Sequence, residues 1–122
     1  MAVPLMMLYE LSVQSVRILD ARRKKREAAE ETASIIAAEG GTALAFTADV
    51  SRAADVEAMV GACVRAFGRI DVLDNNVGIA ETGGVVEVSE AEWDRVFAIN
   101  LKSAFLAMKH VVPVMRAQGG GS

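Results

Sequence analysis

With 122 residues, 12.9 kDa and 52% hydrophobic side chains, the chain has material for one packed core and too much apolar content for disorder. Its formal net charge of -3 excludes a general affinity for nucleic acid or anionic membrane, both of which reward clustered positive charge. The single cysteine, Cys63, forbids an internal disulfide, and no His or Cys cluster has metal-ligand spacing, so no metal site and a reducing, cytoplasmic setting are expected.

In chain order, residues 3–9 come first, an apolar run far short of the roughly 20 residues that cross a bilayer. It has neither the basic flank nor the cleavage site of an export signal, so no membrane association is expected. A parallel crossover takes about a dozen residues, more than separate Leu8 from Val16. Residues 4–11 are therefore read as a short helix, within an irregular or short helical segment spanning 1–15. From residue 16 the pattern becomes regular. Residues 16–20 suit a buried strand, and 22–39 a helix with Ala28, Ala29, Thr32, Ile35 and Ile36 on one face, ended by Gly40 and Gly41. The basic run 22–26 is neutralised by Glu27, Glu30 and Glu31 and reads as a solvated face. A strand over 42–47 leads to a helix over 51–67, whose stripe is Val56, Met59, Val60, Cys63, Val64 and Phe67 and whose stop is Gly68.

A third strand over 70–75 precedes a helix starting at Ser89, whose spacing to Glu92 matches a capping box. The stripe of that helix is Trp93, Val96, Phe97, Leu101, Ala104, Phe105 and Met108, and Asn100 lies within it. Pro113 lacks the amide hydrogen of a helix interior, which predicts a kink or stop over 110–112. Alternating strands and helices are the rhythm of a parallel sheet with crossover helices, an α/β fold occupying 16–122.

The chemistry-bearing residues cluster where strands end. Asp20 closes the first strand of this repeat, where a carboxylate can accept both hydroxyls of an adenosine ribose; an aspartate there also serves as a turn or helix-capping residue. Arg22 and Arg23 follow closely enough to accommodate a 2'-phosphate instead. Asp49 and Val50 end the second strand, and Asn75, Asn76, Val77 and Gly78 the third; paired asparagines are also turn formers. A lone asparagine on a helix stripe, such as Asn100, can be a satisfied core group. His110, the sole histidine, lies far from every strand end and reads as an incidental helix residue.

Taken together, Asp20, Asp49-Val50, Asn75-Asn76-Val77-Gly78 and Trp93-Asp94-Arg95-Val96 leading to Asn100-Leu101 resemble the short-chain dehydrogenase/reductase family. The match in order and spacing runs from about Val16 to the carboxyl terminus. The resemblance implies a partial Rossmann-type doubly wound sheet, three-layered α/β/α, missing its first strand and carboxyl-terminal half. It implies an NAD(P)-dependent oxidoreductase acting on a small carbonyl or alcohol, with NAD favoured over NADP by Asp20. Asp49 would contact the adenine ring with Val50 beside it, Asn75 would hold the cofactor's ribose region, and Asn76, Val77 and Gly78 would shape the strand end. Asn100 would be the asparagine of the Asn-Ser-Tyr-Lys tetrad, and the helix from Ser89 to Val112 would pair subunits into a homo-oligomer.

The departures are large. Residues 1–15 hold no glycine where the family's phosphate loop belongs, and no lysine lies four residues after Tyr9, the sole tyrosine. Two smaller departures, Asp74 in place of an apolar residue and Val77 for alanine, make the end of the third strand more polar and tighter. The chain is thus expected to be inactive by itself, or alternatively a non-catalytic nucleotide-binding or subunit-pairing module. Loss of the first strand would also leave two inner edges unpaired unless the flanking strands close up.

Overall fold

The computed structural model describes residues 3–10, 13–18 and 23–122. The segment expected as a short helix is a strand. Val3–Glu10 (β1) turns back through a two-residue connection and pairs antiparallel with Val13–Ile18 (β2), from Leu5 opposite Ile18 to Glu10 opposite Val13. The crossover limit applies only to parallel neighbours; an antiparallel hairpin needs no more than a tight turn. Pro4, which has no amide to donate, lies beyond the last β1–β2 pair, where β2 asks nothing of it.

On its other side β1 pairs antiparallel with Thr42–Ala48 (β3), while β2 pairs in parallel with Val72–Asp74 (β4), Arg17 standing opposite Asp74. The strand order is β3-β1-β2-β4. The sheet is therefore mixed rather than wholly parallel. β2 has closed directly onto β4, and β1 occupies the place between β2 and β3, so both inner edges are paired.

Arg23–Ala38 (α1) packs against β1 and β3 and ends at Gly40, whose φ of 85° is left-handed. Its inner side is Ala29, Thr32, Ala33 and Ile36; Ile35, expected inside, lies one step around the helix and is 53% exposed. Ala53–Phe67 (α2) bears the expected stripe, with Val56, Met59, Val60 and Cys63 buried, and ends at left-handed Gly68, whose amide donates to the Val64 carbonyl at 2.8 Å. Leu44, Phe46 and Ala48 of β3 face the main core with α2; the alternation of a strand sends Ala43 and Ala45 to the opposite face, the one α1 covers.

Val50, Val56, Met59, Cys63, Ile70 and Val111 are the largest fully buried side chains of that core. Burial pushes the Cys63 thiol up to about 11, so it packs as a small apolar group and holds no thiolate at neutral pH.

Glu90–Phe97 (α3) begins with the capping box the sequence predicts: Ser89 Oγ accepts from the Glu92 amide at 3.2 Å, and the Ser89 amide donates to Glu92 Oε2 at 2.9 Å. A π-helical turn, Ala98–Lys102, joins it to Ser103–Gln118 (α4). The helix does not stop before Pro113. α4 runs through it, because Val111 and Met115 on either side are buried in the core and only one backbone bond is forfeited; the irregularity falls instead around Asn100. The α4 face that enters the core carries Leu106, Ala107, Val111 and Met115, whereas Trp93, Phe97, Leu101, Phe105 and Met108 point outward. Beyond left-handed Gly119, Ser122 pairs with Asp71 and Leu73 along β4 through two backbone bonds of 2.8 Å, and the Gln118 amide group bonds both backbone groups of Ile70. Among the described residues no helix is long and apolar enough to cross a membrane.

Candidate active site

β4 places the third strand end where the sequence puts it. Asn75 and Val77, following Asp74, line a small cavity with Asn100, Ser103 and Ala104. Its volume of about 10 Å³ is room for one water at most. Two elements distant in sequence thus converge: the β4 end and the π-helical turn.

Asn100 makes the junction. Its Oδ1 accepts from the Ile79 amide at 2.8 Å and its Nδ2 donates to the Ile79 carbonyl at 2.7 Å. Because the peptide offers one donor and one acceptor, this pairing fixes which end of the side-chain amide is which. The segment leaving β4 is thereby pinned to the helix, and a second tie, the ion pair of Arg95 with Glu81, holds its continuation to α3. Gly78 has no left-handed φ, and a Cβ there would meet only Asn100 Oδ1 at 4.0 Å. The fold itself would accept a side chain at this position. Asn75 and Asn76 are exposed beside it.

Asp49 and Val50 stand at the end of β3, separated from β4 in the sheet by β1 and β2. Asp49 Oδ1 accepts from the Ser51 hydroxyl at 2.6 Å and the Ser51 amide at 3.0 Å, while the Asp49 amide donates to Asp55 Oδ2 at 2.9 Å. Burial raises the Asp49 carboxyl, but the Ser51 bonds and the charge of Arg52 outweigh it and hold the group below the usual carboxylate range. These contacts keep Ser51 in the turn, so α2 starts at Ala53 instead of Ser51. Val50 is fully buried in the core. Asp20 lies outside the described residues.

The structure thus unites Asn75, Val77, Gly78 and Asn100 at one place and leaves Asp49 and Val50 at another. Ser103, which the sequence reading passed over, belongs with the first group; its spacing of three from Asn100 on one helix was the available signal. His110 does not line this cavity; among the described residues its Nε2 is the buried side-chain polar atom without a hydrogen-bond partner. Among those residues no group of His, Cys, Asp or Glu could hold a metal ion.

Residues 8–122 match the family model of the short chain dehydrogenases. The chain belongs to the short-chain dehydrogenase family. It is 41% identical over 95 residues to an uncharacterized oxidoreductase of Thermotoga maritima, covering 78% of this chain and 37% of that protein. With the D-threitol dehydrogenase of Mycolicibacterium smegmatis it shares 38% identity over 96 residues, covering 79% and 37%. The crystal structure of a short-chain dehydrogenase/reductase from Burkholderia xenovorans superposes with a TM-score of 0.70 at 40% identity, over 84% of this chain and 39% of that one. The short-chain dehydrogenase relatives matched are thus more than twice as long as the matched region.

Proposed function

We propose that this chain is the partial dinucleotide-binding domain, over residues 16–122, of an NAD(P)-dependent oxidoreductase that reduces a small carbonyl compound or oxidises an alcohol. The observation that supports this reading best is the convergence of Asn75, Val77 and Asn100 on one cavity beside open Gly78. In that reading Asn75 holds the cofactor's ribose region, Asn76, Val77 and Gly78 shape the strand end around it, and Asn100 holds the site against the helix. When bound, the cofactor would supply the hydride. Asp49 and Val50 would face the adenine end, and Asp20 the adenosine ribose, which favours NAD; Arg22 and Arg23 keep NADP in contention.

The residues fit one half of such a cofactor better than the other. The β4 end has exposed polar groups in Asn75 and Asn76, whereas the link from β2 to α1, Leu19-Asp20-Ala21-Arg22, has no glycine to bring backbone amides against a pyrophosphate. Antiparallel β1 also interrupts the row of parallel strand ends between β2 and β3. Weak binding follows.

Proton transfer is the second shortfall of these 122 residues, since Val13 stands four residues after the sole tyrosine, Tyr9. Purified chain given NAD or NADP with a panel of alcohols and carbonyl compounds is expected to show no change in nicotinamide absorbance. Turnover that disappears in Asn100→Ala would contradict this.

The exposed apolar face of α3 and α4 favours a second reading, a subunit-pairing module in which the same chain associates with itself. The two readings are compatible, and sedimentation tests the second: a monomer would contradict it.

A further inference from the structure

Ser103 is 4% exposed and stands directly after the π-helical turn that carries Asn100. In an α-helix the Ser103 amide would donate to the carbonyl of Ile99; in a π-helical turn it reaches back to that of Ala98, and where α spacing resumes the Ala104 amide takes that of Asn100, so the Ile99 carbonyl is left over. The Ser103 hydroxyl donates to the Ile99 carbonyl instead. The side chain thus replaces the bond that the widened turn removes, and a buried carbonyl is left satisfied. Ser103 also lines the cavity shared with Asn75, Val77 and Asn100.

We propose that Ser103 is a positioning residue: by bonding the Ile99 carbonyl it holds the π-helical turn in the form that aims the Asn100 amide at Ile79 and so fixes the segment leaving β4. The role gains its functional meaning from the reading of the β4 end as a cofactor-facing site. Without the hydroxyl, the turn regains most by relaxing toward α geometry. One residue is then taken up, each side chain before the turn rotates by about 100° relative to those after it, and Asn100 no longer faces both backbone groups of Ile79.

The test compares wild type, Ser103→Ala, Ser103→Thr, Asn100→Ala and the double variant Asn100→Ala/Ser103→Ala by amide hydrogen exchange and side-chain amide resonances in the unliganded chain. Failure of nucleotide binding and failure of this coupling are therefore separate results. Ser103→Ala is expected to speed exchange at Ile79 by about five- to tenfold, the equivalent of one lost hydrogen bond, and to shift the Asn100 side-chain amide resonances. Exchange at Met59 and Cys63 in the core should stay unchanged. Ser103→Thr, which keeps the hydroxyl, should restore both signals, and the double variant should exchange at Ile79 no faster than Asn100→Ala alone. Equal acceleration at Ile79, Met59 and Cys63, additive effects in the double variant, or no change at Ile79 would each overturn the proposal.

Discussion

Replacing Met59 by alanine is expected to lower the stability of the chain by about 3 kcal/mol, the middle of the range for truncating a large buried apolar side chain. Met59 is fully buried on α2, between Val56 and Cys63 on the same face, and packs in the core to which Val50, Ile70 and Val111 also belong. A close-packed interior recovers little of the vacated volume, so the lost transfer energy and the cavity act together. For a domain of this size such a loss removes a large part of the usual margin of about 5–15 kcal/mol. Ile35→Ala, on the exposed shoulder of α1, is expected to cost less than about 1 kcal/mol. Urea unfolding followed by circular dichroism measures both; equal midpoints for the two variants would contradict the placement of the core.

The second large effect concerns association. Trp93, Phe97, Leu101 and Phe105 recur every four residues through α3, the π-helical turn and α4, with Met108 and Val112 continuing the row, and all are exposed. The Trp93 and Phe97 rings lie 4.5 Å apart, so this face is already an ordered apolar surface. A groove of about 440 Å³ lies along it, lined by Phe97, Ala98, Leu101 and Phe105 and flanked by Asp94 and Lys102. Opposite charges at the two flanks suit a twofold-related copy, in which Asp94 of one chain approaches Lys102 of the other. Sedimentation at tens of micromolar, a working range of roughly 10 to 100 µM for weak dimers, is expected to show a dimer or larger species. Leu101→Glu combined with Phe105→Glu should return it to a monomer without changing the free energy of unfolding by more than about 1 kcal/mol. A monomeric wild type would contradict this face as an interface.

These two predictions draw on different kinds of legibility. The α2 stripe was readable because Val56, Met59, Val60 and Cys63 recur at helical spacing and one face of that helix meets the core. Gly40 and Gly68 marked helix ends for the same local reason, their left-handed backbone. The helix after Ser89 was readable as apolar, but not in its orientation: α4 is apolar on more than one side, and periodicity alone does not say which side packs inward. Burial of Leu106, Val111 and Met115 decides that only through contact with α2 and the sheet. Pro113 does not end the helix because the burial of Val111 and Met115 on either side, which local chemistry does not reveal, carries it through.

At the amino terminus the limit is topological: the spacing of Leu8 from Val16 excludes a parallel neighbour but not an antiparallel one, and β1 fills the space between β2 and β3 as an antiparallel strand. At the site, Asn75, Val77, Gly78 and Asn100 were named from the sequence and do meet. Ser103 escaped because a serine within an apolar stripe gives no sign of itself until the π-helical turn leaves the Ile99 carbonyl in need of a donor.

The central claim is that the β4 end holds part of a nicotinamide dinucleotide, and titrating isotope-labelled chain with NAD while following backbone amide resonances tests it most directly. Saturable shifts at Asn75, Asn76 and Gly78 with an affinity on the order of 1 mM, lost in Asn75→Ala, are the result expected. Absence of shifts at these residues well above that concentration, or shifts confined to the outer face of α3 and α4, would contradict the claim.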